Sequence, residues 1–298
     1  MTNSKSTKVT QFILNTIVII LCALIVMPFW MLVSVSFSNE MDIALNGYSF
    51  WPRVFDLAAY KYVFNNPGSI LQAYKITAIF SFCAMVLAVL LQSMAAYPLT
   101  RKSLKGRRFI SFYFYFVTLF SGGLVPTYIL ITQYLHLGDT ILVYIIPGLI
   151  GPFNIFMMRT FFSGIPDSII ESAHIDGASE LRIYATFILP LSKPVLATVA
   201  LTTFLSKWND WNTSMLYIND DSLISLQYLL QKIMKNIEVL QNIGGQEAAI
   251  DSLIDVSKIP TETVRMAMAV VVAGPALVIF PFFQKYFVKG LTVGSVKG

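Results

Sequence analysis

Residues 171–194, ESAHIDGASELRIYATFILPLSKP, gather Glu171, Asp176, Glu180, Arg182, Lys193 and His174 in one short stretch. So polar a stretch in an otherwise apolar chain suits contact with a partner, and His174, a lone surface histidine, takes no special role. Metal hydrolysis is disfavoured: the chain has two His, two well-separated Cys and no H-E-x-x-H. The dipeptide Gly-Lys does not occur, so the phosphate-cradling G-x-x-x-x-G-K-[ST] loop is missing and ATP hydrolysis belongs elsewhere. A second polar group, Lys207 and Asp210, interrupts an apolar run, and its i, i+3 spacing lets the two pair. Read instead as a path for ions, the same two residues would suit an ion- or proton-coupled carrier.

The elements that hold these residues are dictated by composition. Of 298 residues, 56% are hydrophobic and 12% charged, roughly half the charged share of a soluble domain. The excess apolar surface needs lipid. Uncharged runs at Phe12–Phe37, Ile76–Leu99, Phe109–Leu135, Thr140–Met158 and Met266–Phe283, with the interrupted Val195–Leu216, each approach the length of a bilayer crossing, about 20 residues. The expected fold is all-α, a single membrane domain over residues 1–298. Its six spans fall at about 12–37, 76–99, 109–135, 140–162, 195–216 and 264–287, with a loop at 163–194, another at 217–263 and a tail at 288–298. The first run is too long for a signal-peptide core and has no small-x-small site after it. Cys22 and Cys83 lie in different spans and read as small packing residues.

Net charge is +5, and the short loop Thr100–Arg108 alone holds Arg101, Lys102, Lys105, Arg107 and Arg108. Lys and Arg beside spans mark the cytoplasmic side rather than a nucleic-acid surface. That assignment places both termini and residues 163–194 inside, and the largely acidic loop 217–263 outside. Within that outer loop, Leu226, Leu229, Leu230, Ile233, Ile237 and Leu240 recur at helical spacing, with Gly244-Gly245 as the expected stop. A glycan enzyme in the membrane would need acidic or His clusters at a membrane face, and the acid-rich face is this outer one.

In the polar stretch, apolar or small residues fall at 170, 173, 177, 181, 184 and 188, predicting one buried helical face after a start at Pro166-Asp167. Gly177 in that face weakens a helix by about 1 kcal/mol relative to Ala. The cost makes sense if the chain turns there, or if another backbone comes close. The acidic outer side disfavours a lipid-surface helix, which prefers Lys and Arg. The partner is then the chain's own helices or a separate cytoplasmic protein.

The stretch resembles the cytoplasmic signature loop of ABC-importer permeases, E-A-A-x3-G-x9-I-x-L-P. Glu171, Ala173, Gly177, Leu189 and Pro190 match; Ser172 replaces an Ala and Phe187 an Ile, and Asp176 is typical of the sugar-importing branch. WNDWNTSMLYI in the fifth span and the terminal KGLTVGSVKG resemble the carbohydrate-uptake, maltose-permease-like family, and SGGLVPTY its oligosaccharide or polysaccharide subgroup. The resemblance covers roughly Phe12 to Gly298. It implies a type I ABC-importer permease of a bacterial cell membrane, non-catalytic, paired with a second homologous permease as a heterodimer. Two ATPase subunits would carry the ATP and Mg, and an extracellular or lipid-anchored solute-binding protein would deliver an oligosaccharide. Glu171, Ser172, Ala173, Asp176, Gly177, Ala178, Leu189 and Pro190 would form the coupling helix docked on an ATPase. Gly290, Leu291, Thr292 and Gly294 would add a C-terminal contact. For the sugar path, Trp208, Asn209, Trp211 and Asn212 supply aromatic faces and amides, with Tyr128 and Gln133 as weaker candidates.

Overall fold

The computed structural model describes residues 5–65, 67–246 and 261–294. The described residues are helical, with one isolated bridge between Ser38 and Phe55. The chain divides into two compact units, residues 1–67 with 232–274, and residues 68–231 with 275–298.

Among the described residues, three helices are long and apolar enough to cross a membrane unbroken: Thr10–Ser36, Pro67–Thr100 and Glu262–Gln284. The first leaves its large apolar side chains exposed from Phe12 to Trp30, as a helix bathed in lipid does. The second starts nine residues before the expected Ile76 and packs into the interior through Ala73, Ala84, Ala88, Ala96, Ser81 and Ser93. Small residues let helix backbones approach where no hydrophobic force drives association. The last helix runs from Glu262 to Gly294, unbroken by Pro275 and Pro281, and extends into the expected tail.

The remaining expected spans are not continuous helices. Arg107–Leu119 and Leu124–Tyr134 meet at 113°, with Gly123 at φ +86° in the corner. Glu180–Leu191 and Lys193–Trp208 meet at 80°, so the expected fifth span begins with a sharp bend; it then stops at Trp208 and resumes as Asn212–Tyr217. The expected span at 140–162 is two short helices, Leu142–Ile145 and Pro152–Phe162. The cause is local: Pro147, Gly148 at φ +88°, Gly151 and Pro152 cannot sustain an i→i−4 ladder. Backbone carbonyls freed in lipid need partners. Gln92 Nε2 donates to Leu149 O at 2.8 Å, and Lys207 Nζ to Pro147 O at 3.2 Å. Among the described residues, the third, fourth and fifth expected spans are therefore interrupted helices. The prolines and glycines that crowd the fourth run make a kinked, internally satisfied element instead.

In the first unit, Glu40 closes the start of the last helix. Its carboxylate accepts from Thr261 Oγ1 at 3.0 Å, from the N–H groups of Glu262 and Thr263 at 2.9 Å each, and from Thr263 Oγ1 at 2.6 Å. The amphipathic helix expected from Leu226 is present as Leu226–Gln246, passing through Gly244-Gly245 rather than stopping there. Leu226 and Leu230 are buried on its inner side.

Candidate functional site

The polar stretch folds as a helix, a turn and a second helix. Asp167 opens the first, Asp167–Ile175, where a carboxylate favours the helix N-terminus. The helix ends in a Schellman motif. Ala178 N–H reaches back to Ala173 O at 2.9 Å, and Gly177 N–H to His174 O at 3.0 Å. Gly177 sits at φ +76°, with nothing within 4 Å of where a Cβ would be. The glycine is therefore required by backbone conformation and not by close approach of another chain segment. Ser179 caps the second helix by accepting from Arg182 N–H at 3.4 Å. Glu180–Ile183, Tyr184–Ile188 in π geometry and Leu189–Leu191 then carry the chain to the bend at Ser192.

Because the chain turns at Gly177, the expected single apolar face divides. Ile170, Ala173, Ile183, Tyr184 and Ile188 are buried in a cluster with Ile155, Met158, Phe162 and Val199. Leu181, expected inside, is 68% exposed, and Ile175 is 86% exposed. Glu171, Ser172, Asp176, Gly177 and Pro190 also face outward, Ala178 and Leu189 are half-buried, and Ala173 belongs to the core. The element thus has one anchored side and one presented side. Two large apolar side chains flank the turn on the presented side.

The anchor is partly polar: it joins Glu180 to Tyr97 and His174, Arg101 to Tyr97, and Tyr184 to Ser93, pairings that the sequence reading did not name. Glu180 Oε2 accepts from Tyr97 OH at 2.5 Å, while Glu180 Oε1 lies 3.3 Å from His174 Nε2. Arg101 Nη2 donates to the same Tyr97 oxygen at 2.7 Å, with its guanidinium carbon 4.7 Å from the Tyr97 ring centre. Tyr184 OH and Ser93 Oγ share a bond of 2.7 Å. These contacts tie the element to the end of the Pro67–Thr100 helix.

The second polar group is arranged differently from the expected ion pair. Lys207 donates to Pro147 O, whereas Asp210 accepts from Thr213 N–H at 3.0 Å and Thr213 Oγ1 at 2.7 Å, capping Asn212–Tyr217. Trp208 is buried, its ring 5.7 Å from that of Phe204 and 6.2 Å from that of Tyr74. Asn209 bonds Leu205 O through Nδ2 and accepts from Gln227 Nε2 at 2.9 Å. Trp211 and Asn212 are exposed. Tyr128 stacks on Tyr217 at 5.6 Å, and Gln133 is exposed in the π-helical turn Leu130–Tyr134. Gly290, Leu291, Thr292 and Gly294 fall in the final turns of the last helix, where the backbone alone is described. Among the described residues no three His, Cys, Asp or Glu side chains converge on a point where a metal ion would sit.

Residues 65–293 match the family model described as "Binding-protein-dependent transport system inner membrane component". Among curated proteins, the chain is 35% identical to Protein LplC of Bacillus subtilis (strain 168), over 93% of this chain and 90% of that one. It is 34% identical to the polygalacturonan/rhamnogalacturonan transport system permease protein YtcP of the same organism, over 92% and 93%. Among solved structures, it resembles a chain of a bacterial ABC transporter involved in the import of the acidic polysaccharide alginate. That match has a TM-score of 0.78 and 27% identity, and covers 96% of this chain and 99% of the other.

Proposed function

The chain belongs to the inner membrane components of binding-protein-dependent transport systems, and on that premise we propose that it is the permease through which an ATP-driven importer moves an oligosaccharide. The relatives named above carry polygalacturonan, rhamnogalacturonan or alginate in their descriptions. Fragments of such acidic glycans are therefore the first solutes to test. A second, homologous permease completes the pathway, and an extracellular or lipid-anchored solute-binding protein delivers the sugar. ATP and Mg are held by two ATPase subunits and not by this chain. Both termini and the Asp167–Leu191 element face the cytoplasm, consistent with the Lys and Arg of residues 101–108.

One observation carries the coupling role: the presented side of the Gly177 turn. Ile175 and Leu181 project apolar bulk beside Glu171 and Asp176, while the opposite side is locked into the core. An exposed apolar pair within a rim of charge suits docking into a groove of another protein. ATP-driven approach of the ATPases then shifts the permease pair between two states through this contact. Gly290, Leu291, Thr292 and Gly294 would add a second contact from the last helix. Trp211, Asn212, Tyr128 and Gln133 are exposed candidates for the sugar path. Asn209 is exposed beside them, whereas Trp208 is buried.

Ile175→Asp combined with Leu181→Asp should abolish co-purification of the ATPase subunits with the affinity-tagged permease, while membrane insertion is kept. Full recovery of the ATPases with unchanged uptake would remove the docking assignment.

A further inference from the structure

Beside the coupling element lies a cavity of about 450 Å³, lined in part by its anchor residues, to which the transport reading assigns no ligand. Met94, Tyr97, Leu104 and Leu181 give it a mostly apolar wall, and Arg101 and Lys105 bring two cations to it. Glu180 also lines it. Its carboxylate is already engaged by Tyr97 on one oxygen and approached by His174 on the other. Arg101 is not equally served. Its Nη2 binds Tyr97, but its Nε is buried without a hydrogen bond among the described residues, 4.0 Å from Glu180 Oε2. The guanidinium charge is thus matched only at 4.0 Å, and an anion in the cavity would add a second Coulomb partner to it.

We propose that this cavity binds one anionic phospholipid, its phosphate held by Arg101 and Lys105 and its acyl chain lying along Met94 and Leu104. Three features select a lipid over other anions. The cavity sits at the Lys- and Arg-rich end of a membrane-spanning helix, where basic pockets between helices take lipid headgroups. Cations beside an apolar wall suit a molecule with both a phosphate and a chain, whereas a free phosphate would leave the wall uncovered. Lys102, Arg107 and Arg108 flank the site and raise the local concentration of anionic headgroups. A phosphate at Arg101 would also hold the guanidinium over Tyr97. It would thereby steady the Tyr97–Glu180 bond that anchors the coupling element.

Native mass spectrometry of the intact, delipidated chain tests this with phosphatidylglycerol and phosphatidylcholine as probes. The wild-type chain should retain one phosphatidylglycerol in preference to phosphatidylcholine, and excess inorganic phosphate should not displace it. Lys105→Gln should weaken that retention about fivefold, as expected for losing one cation near a lipid headgroup. Lys105 is exposed, so this variant folds independently of the Arg101–Tyr97 contact; Arg101→Gln should reduce retention further. Four outcomes would overturn the proposal. They are equal retention of the two lipids, no change in Lys105→Gln, displacement by phosphate alone, or loss of the lipid when the ATPase subunits assemble. The last would make the cavity part of a protein interface.

Discussion

Two polar interruptions break the apolar chain, at residues 167–191 and at residues 207–214, and they are finished in opposite ways. In the second, Lys207, Asp210 and Ser214 find their partners within the chain, while Trp211 and Asn212 stay exposed. Lys207 meets Pro147 O, Asp210 meets Thr213, and Ser225 Oγ donates to Asp210 O at 2.8 Å. Ser214 joins Tyr144 OH, which also donates to Leu223 O at 2.9 Å. The first interruption satisfies its backbone through the Schellman turn and anchors Glu180, yet presents Glu171, Ile175, Asp176 and Leu181 outward. Polar residues inside a membrane-type chain thus divide by where their partners lie. Those finished within the chain are scaffold, and those the first leaves facing outward are the ones we propose meet another protein.

The sharpest way to break this contrast is at Gly177. Its φ of +76° suits glycine, and the open space around it means that a larger side chain meets no clash. Gly177→Val should therefore act through backbone strain alone, of order 1–3 kcal/mol. A tilt of the presented side should lower ATP-driven uptake in reconstituted vesicles by about tenfold or more, with the chain still inserted. Gly177→Asn, which tolerates the left-handed region better, should fall between Val and wild type. Equal uptake by all three would mean that the turn is scaffold like the other interruption.

A smaller effect is expected where the chain completes its own bonds. Lys207→Met leaves Pro147 O without its donor and should cost about 1–3 kcal/mol, seen as a lowered unfolding midpoint in detergent. Asp210→Ala removes a helix cap, at about 1 kcal/mol. Because the two residues bond different partners, the double variant should be additive to within about 0.5 kcal/mol. A coupling well above that would restore the Lys207–Asp210 pair expected from their spacing. Neither variant should disturb recovery of the ATPase subunits.

What was legible in the sequence follows the range of the interactions. Apolar runs depend on local composition, so the first, second and last spans lie close to where composition puts them. The turn at Gly177 was also open to local reading, because glycine in the middle of a helical pattern needs a reason. Breaks at Gly122-Gly123, Pro147 and Pro152 were visible as residues. Their outcome was not, because a proline bends or ends a helix according to what receives the freed carbonyl, and Gln92 lies far away in sequence. Tyr97 and Glu180 are separated by 83 positions. No local pattern marks such a pair, so Glu180 could be named as a polar residue of the stretch but not as its anchor. Leu181 was misplaced for a related reason: one continuous helix was assumed where the Gly177 turn resets the phase.

The smallest effect belongs to Glu40, a self-satisfied carboxylate in the first unit. Burial by itself would raise its pKa, but the Thr263 hydroxyl and the N–H groups at the start of the last helix outweigh burial and hold it below the ordinary 4.5. A carboxyl whose folded value is depressed stabilises the fold above its unfolded value and loses that contribution as pH falls through the folded one. The unfolding midpoint should therefore be steady from neutral pH down to about 4.5 and decline below it. Glu40→Gln should lose about 1 kcal/mol at neutral pH, the scale of a lost N-cap, and show a flatter acid limb. Thermal unfolding in detergent across that range compares the two directly. Parallel acid limbs would mean that the clamp on Thr261–Thr263 contributes nothing through ionisation. Loss of ATPase recovery in Glu40→Gln would erase the division between scaffold and presented surface, because a cap finished inside the chain should leave docking at Ile175 and Leu181 unchanged.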